Sequence, residues 1–187
     1  MSDTMLRDEA VGLLQELIRI DTVNPPGNET RAAELLRDYL EDAGVSCQLY
    51  ARVPERANLV ARLPGRGSGP RLLLLSHTDT VLADPAEWTV DPWSGALRDG
   101  CVWGRGALDM KGQVAASAVA IASLAREGFR PSGDLIFAAT ADEELGSRGS
   151  VGSIPRRCGA STRSTRGRET GLRLAAASST CAPPPRR

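Results

Sequence analysis

Apolar residues recur along the first half of the chain at helical spacing. Leu6, Ala10, Leu13, Leu14, Leu17 and Ile18 predict one amphipathic helix over residues 5–20. Asn24-Pro25-Pro26-Gly27 then breaks the chain. Asn28 is placed to cap a second helix, with Ala32, Leu35, Leu36, Tyr39 and Leu40 on its apolar side and Gly44 at its end. Two short strands are expected over 45–53 and 57–63. After a Gly/Pro-rich turn at 64–70, Leu72 to Leu75 form an unbroken apolar run, which predicts a strand buried on both faces. Residues 82–98 are loop-like, anchored by Trp88, Val90 and Trp93. An alanine-rich helix is expected over 113–127, stopping at Gly128, and a last apolar strand over 135–140.

Strand, helix and strand in this order predict an α/β fold with a mostly parallel sheet flanked by helices. Polar clusters follow the apolar runs, at the carboxyl ends of strands, where open α/β sheets place their sites. The pattern stops near Ser147. Residues 148–187 contain only Val151, Ile154, Leu172 and Leu174 as aliphatics larger than alanine, among Arg, Ser, Gly, Ala, Thr and Pro. This composition predicts a disordered tail, 148–187, after a folded part, 1–147.

Charge sharpens that boundary. The formal net charge is zero, but residues 1–147 carry 14 basic and 22 acidic side chains, while 148–187 carry nine Arg and one acidic residue, Glu169. An acidic body argues against a nucleic-acid surface. Cys47, Cys101, Cys158 and Cys181 have no CxxC spacing, so they suggest neither a zinc ribbon nor a disulfide framework. The start is polar, and no apolar run approaches the roughly 18–20 residues that span a bilayer. These features predict a soluble, cytoplasmic protein without a membrane partner.

Three polar clusters could carry chemistry. In Ser76-His77-Thr78-Asp79, strand alternation sets His77 and Asp79 on one side, where the Asp can take one imidazole proton and leave the other nitrogen for a metal. A polar strand end with a surface His is the plain alternative. The loop from Gly104 to Gly112 contains Gly104-Arg105-Gly106, but Asp109 stands where a dinucleotide fingerprint needs Gly or Ala, and its charge would repel a pyrophosphate. Asp109 is better suited to a metal, or to capping the following helix. Asp142-Glu143-Glu144 packs three carboxylates that repel one another unless a cation is near; a solvated acidic loop is the alternative.

Together, in this order, these segments resemble one family. Ser76-His77-Thr78-Asp79, Gly104 to Gly112 and Ala141-Asp142-Glu143-Glu144-Leu145-Gly146 are similar to the metallopeptidase family of acetylornithine deacetylase, succinyl-diaminopimelate desuccinylase, aminoacylase and glutamate carboxypeptidase. The segment from Leu17 to Gly27 and the loop holding Trp88, Asp91, Pro92, Trp93 and Gly95 share the likeness, which runs from about residue 10 to Ser147.

The resemblance implies metal-dependent hydrolysis of amide bonds, in peptides or N-acyl amino acids, at two zinc ions for which cobalt or manganese can substitute. His77 would bind one metal, Asp109 would bridge the two, and Glu144 would bind the other. Asp79 would orient His77. Glu143 would be the general base acting on a metal-bridging water. A cis peptide bond is expected between Asp109 and Met110. The family's further acidic ligand after the Glu-Glu motif finds no family-like counterpart, and its second histidine finds none, since His77 is the sole histidine. Its smaller lid domain, which makes homodimers, has no counterpart either. The chain is thus expected to be a truncated catalytic domain, with a frameshift after Ser147, and a catalytically inactive fragment with an incomplete site is the competing expectation.

Overall fold

The computed structural model describes residues 2–146. Two helices come first, α1 (Asp3–Arg19) and α2 (Thr30–Asp42), followed by β1 (Ser46–Ala51), β2 (Ala57–Leu63) and β3 (Leu72–His77). A small hairpin, β4 (Ala96–Arg98) and β5 (Cys101–Trp103), precedes α3 (Gly112–Arg126) and β6 (Leu135–Thr140). The expected tail, 148–187, and the boundary at 147 lie outside the described residues.

The helices start and stop for local reasons. Ser2 caps α1, accepting the Met5 amide at 3.4 Å. Gly44, at φ +80°, ends α2 by sending its amide to Glu41, while Val45 N–H reaches Leu40. Asn28 does not cap α2 as its sequence position suggests. Glu29 occupies that position without a capping bond, its side chain turned inward instead. In the 82–98 region a 3-10 turn, Pro85–Glu87, and strand β4 add short regular elements. Asp99 and Gly100, both at positive φ, make the two-residue turn between β4 and β5.

The α/β class holds, but the main sheet is mixed rather than mostly parallel. Its order is β1-β2-β6-β3, and β1–β2 and β2–β6 run antiparallel while β3–β6 run parallel. The five residues between β1 and β2 are too few for a crossover, so those strands form a hairpin. Among the described residues only the β3–α3–β6 unit has the intervening helix that parallel pairing needs.

One face of the sheet carries the core. Leu59, Ala61, Leu63, Leu135, Phe137 and Ala139 alternate along β2 and β6 and pack with Leu36 and Leu40 of α2, Val114 and Ile121 of α3, and Leu13 and Leu17 of α1. The β3 run departs from expectation: Leu72, Leu73 and Leu75 are 57%, 38% and 61% exposed. Among the described residues β3 is the sheet edge, with β6 on one side only, so an apolar run does not there guarantee two covered faces.

At the rear of the core, Glu9 accepts from Tyr39 Oη at 2.8 Å and Arg126 Nη1 at 2.7 Å, tying α1 to α2 and α3. Partial burial pushes the Glu9 pKa up, but these two partners outweigh it and hold it below its ordinary 4.5. A depressed carboxylate stabilises the fold above its unfolded pKa and ceases to do so as pH falls through the folded value. Glu9→Gln should therefore destabilise the chain by about 0.5–1 kcal/mol at pH 7. That difference should shrink steadily below pH 4.5 in urea titrations. A deficit that grows on acidification would contradict this assignment.

Candidate metal centre

The mixed sheet brings three strand ends together. Parallel pairing sets His77, the last residue of β3, beside Thr140, the last of β6. The antiparallel β2 starts at this same end, so Asn58 adjoins the chain leaving β6. The Asn24 loop joins by zipping onto residues 78–80: Asn24 N–H donates to Thr80 O at 2.9 Å, and Thr22 Oγ1 to Thr78 O at 2.7 Å.

His77 is 6% exposed. Its Nδ1 lies 3.1 Å from the Asp79 carbonyl oxygen and 3.4 Å from Asp79 Oδ1, which leaves Nε2 facing outward, 3.1 Å from Asp109 Oδ1 and 3.8 Å from Glu143 Oε2. Burial lowers the His77 pKa, but the Asp79 carboxylate and carbonyl and Asp109 prevail and raise it to about 9. Asp79 is fully buried. Burial alone would raise its pKa; His77, Asn24 and the amides of Glu144 and Glu143 hold it down to about 2.

Asp79 also fixes the opposite wall. Its Oδ1 accepts the Glu143 amide at 3.1 Å and its Oδ2 the Glu144 amide at 3.0 Å. The two preceding amides are captured in the same manner, Ala141 by Asn58 Oδ1 at 3.0 Å and Asp142 by Glu29 Oε1 at 3.3 Å. Four consecutive backbone donors beyond β6 are thus satisfied by side chains rather than by another strand.

Asp109 arrives from the third direction. Within the turn Ala107–Lys111 it leaves helical geometry, at φ −119° and ψ 97°, and the Asp109–Met110 bond is cis, as the resemblance implies. Gly106, at φ +81°, starts this turn where a Cβ would crowd Thr80 Cγ2 at 2.6 Å. Lys111 pins its far end. That side chain is fully buried, and Nζ donates to Leu17 O and Ile20 O, both at 2.9 Å, at the carbonyl end of α1. A cation is favoured at this negative end of the helix, where Leu17 O also accepts the Ile20 amide at 3.2 Å. Burial lowers the Lys111 pKa to about 8, against the opposing pull of Asp21 and Asp79.

His77, Asp109 and Glu144 each offer a ligand atom, and these atoms lie within 4.8 Å of one another. Burial raises the Glu144 pKa, and Asp109, Asp79 and Glu143 add to this against the attraction of His77. Imidazole and carboxylate donors suit zinc and related divalent ions, and a cation would relieve this crowding of negative charge, so the residues present fit a metal. All five residues singled out in the sequence converge here. Asn24, Glu29, Asn58 and Lys111, which support them, were not singled out. An Asn beside Pro25, and a Lys between Met110 and Gly112, carry no sign of burial in their own spacing.

The chain matches the model of peptidase family M20/M25/M40 over residues 73–169. It belongs to this family. Over 141 residues it is 40% identical to the succinyl-diaminopimelate desuccinylase of Rhodospirillum centenum, a match covering 73% of this chain and 36% of that one. An M20 family metallo-carboxypeptidase from Sulfolobus solfataricus, Sso-CP2, shares the fold with a TM-score of 0.65 at 24% identity, over 74% of this chain and 32% of that one. The Bacillus subtilis YXEP protein, a dinuclear metal binding peptidase of the M20 family, does so with a TM-score of 0.57 at 17% identity, over 79% and 38%. The chain therefore spans about a third of the length of these relatives. Among the described residues no helix is long and apolar enough to cross a membrane.

The M20 fold's dependence on Asp79 can be measured without any metal. Asp79→Ala should cost about 3 kcal/mol, because it strands a buried imidazole and two backbone amides. Asp109→Ala, at a side chain 77% exposed, should change stability by less than about 0.5 kcal/mol. Equal losses for the two in denaturant titrations would refute this division between buried support and exposed ligand.

Proposed function

We propose that this chain carries part of a metal-dependent amide hydrolase centre, with His77 and Glu144 as terminal ligands, Asp109 as the bridging ligand, Asp79 as the residue that orients His77, and Glu143 as the general base. The observation that carries this is the convergence of His77, Asp109 and Glu144 within 4.8 Å, from a strand end, a turn and a loop in three separate parts of an M20 chain. Zinc is the ion the donor set favours, with cobalt or manganese as substitutes. When bound, it would acidify a water and polarise the scissile carbonyl.

The protein's own residues supply the rest. Asp79 holds Nδ1 of His77, so only Nε2 is presented to the centre. Glu143, 54% exposed and 3.8 Å from that nitrogen, stands at the open front rather than among the buried supports. From there its carboxylate takes the proton of the attacking water and returns it to the departing nitrogen. The neighbouring Glu144 turns its side chain to the ligand cluster, so adjacent glutamates divide the two tasks.

The substrate class is an N-acyl amino acid or small peptide. N-succinyl-diaminopimelate is the first compound to assay, given the 40% identity to a desuccinylase. Zinc binding to the purified chain should disappear in His77→Ala. At saturating zinc, hydrolysis of N-succinyl-diaminopimelate, N-acetyl amino acids or dipeptides should fall at least about 100-fold in Glu143→Ala while zinc binding persists. Binding that survives His77→Ala, or turnover indifferent to Glu143, would sink the assignment. Zinc binding with no turnover on any of these substrates would favour a chain that binds metal without catalysis.

A further inference from the structure

Behind the ligand cluster lies a buried polar group built on Glu29, Arg56 and Asp142. Glu29 is fully buried. Its carboxylate takes the guanidinium of Arg56 in a fork, Nη2 to Oε1 at 2.6 Å and Nε to Oε2 at 3.1 Å. The remaining arm, Nη1, lies 3.1 Å from Asp142 Oδ1. Glu29 Oε1 accepts the Asp142 amide as well, and Asn24 Nδ2 spans from Asp142 Oδ1 at 3.1 Å to Asp79 Oδ2 at 2.9 Å.

Asp142 is the joint in this network. It sits at φ +64°, a left-handed conformation that non-glycine residues rarely adopt and that Asp tolerates better than most. That dihedral turns the chain out of the β6 direction and determines where Glu143 and Glu144 point. Two buried carboxylates, Glu29 and Asp142, could not share this space without a positive charge between them. Arg56 supplies it with a fixed, planar set of donors that Lys cannot reproduce. The space for it is reserved: Gly27, at φ +82°, would drive a Cβ into the Arg56 guanidinium if it carried one.

We propose that Arg56 is a positioning residue for the metal centre: together with Glu29 it clamps Asp142 in the left-handed conformation that presents Glu143 and Glu144 to His77 and Asp109. The clamp joins residues 29, 56 and 142, and Asn24 extends it to Asp79, so the support of the glutamates and of the histidine is continuous. Its consequence for metal rests on the reading given under Proposed function.

Two measurements on the full 187-residue chain test this, and they can fail separately. The first needs no metal. In Arg56→Ala and Arg56→Lys, amide hydrogen exchange at Asp142, Glu143 and Glu144 should accelerate about tenfold or more, while amides of the 57–63 and 135–140 strands keep their wild-type rates. Uniform acceleration would mean that Arg56 only stabilises the fold, and unchanged exchange at 142–144 would mean that it clamps nothing; either overturns the proposal. The second is metal affinity, read by zinc competition and by the visible band of bound Co²⁺. Zinc affinity should drop about 10–100-fold in Arg56→Ala, with a shifted cobalt band, and Arg56→Lys should fall between it and wild type. A folded Arg56 variant with wild-type affinity and cobalt band overturns the link to the centre. Should Arg56→Ala not fold, Arg56→Lys bears both criteria. Wild-type chain that binds no zinc through His77 would refute the metal reading, and exchange at 142–144 would still decide the clamp.

Discussion

The site depends on one buried carboxylate. Asp79 faces His77 from one oxygen while its two oxygens take the amides of Glu143 and Glu144. Removing a charge of this kind from water is costly, and it persists because its lone pairs are met by an imidazole, an amide side chain and two backbone donors. The same contacts connect the ends of β3 and β6, so the groups that fix the ligands also close that end of the sheet. Site geometry and sheet geometry are here set by the same bonds.

Much of this was legible in the sequence because it follows from local periodicity. The 3.6-residue spacing of Leu13, Leu17 and Ile18 marks α1, and the strand candidate at 57–63 and the apolar run at 135–140 are β2 and β6 at the expected bounds. The five polar residues at the centre were legible because each lies at the end of such an element within a distinctive motif. What escaped was non-local. Strand direction depends on which strands neighbour one another, and the strand–helix–strand order describes only the β3–α3–β6 unit. The burial of β3 depends on a second neighbour that the apolar run of Leu72 to Leu75 does not reveal. Arg56 and Glu29 are ordinary charged residues in sequence; their pairing across 27 positions exists only once α2 lies against β2.

The charged groups behind the centre differ in kind from those at its front. Asp79, Glu29 and Lys111 are fully buried and bonded to fixed partners, whereas Asp109 and Glu143 are open to solvent. Rigid support behind and accessible carboxylates in front suit a site that must hold its geometry while admitting a ligand. Lys111 extends this division to α1, whose last carbonyls hold the turn that presents Asp109.

The four captured amides beyond β6 set an order of events during folding. Their acceptors lie on residues 29, 58 and 79, so the bonds close loops of 113, 83, 64 and 65 residues. Such long loops close late, after the hairpin of β1 and β2 and the individual helices can already have formed. On a ribosome, His77 and its Asp79 would emerge well before residues 141–144, and Asp79 would stay hydrated, without its two amide partners, until β6 docked. A completed centre therefore reports that β2, β3 and β6 have come together, because its four captured amides reach acceptors on or beside each of the other two strands and the segment before α2.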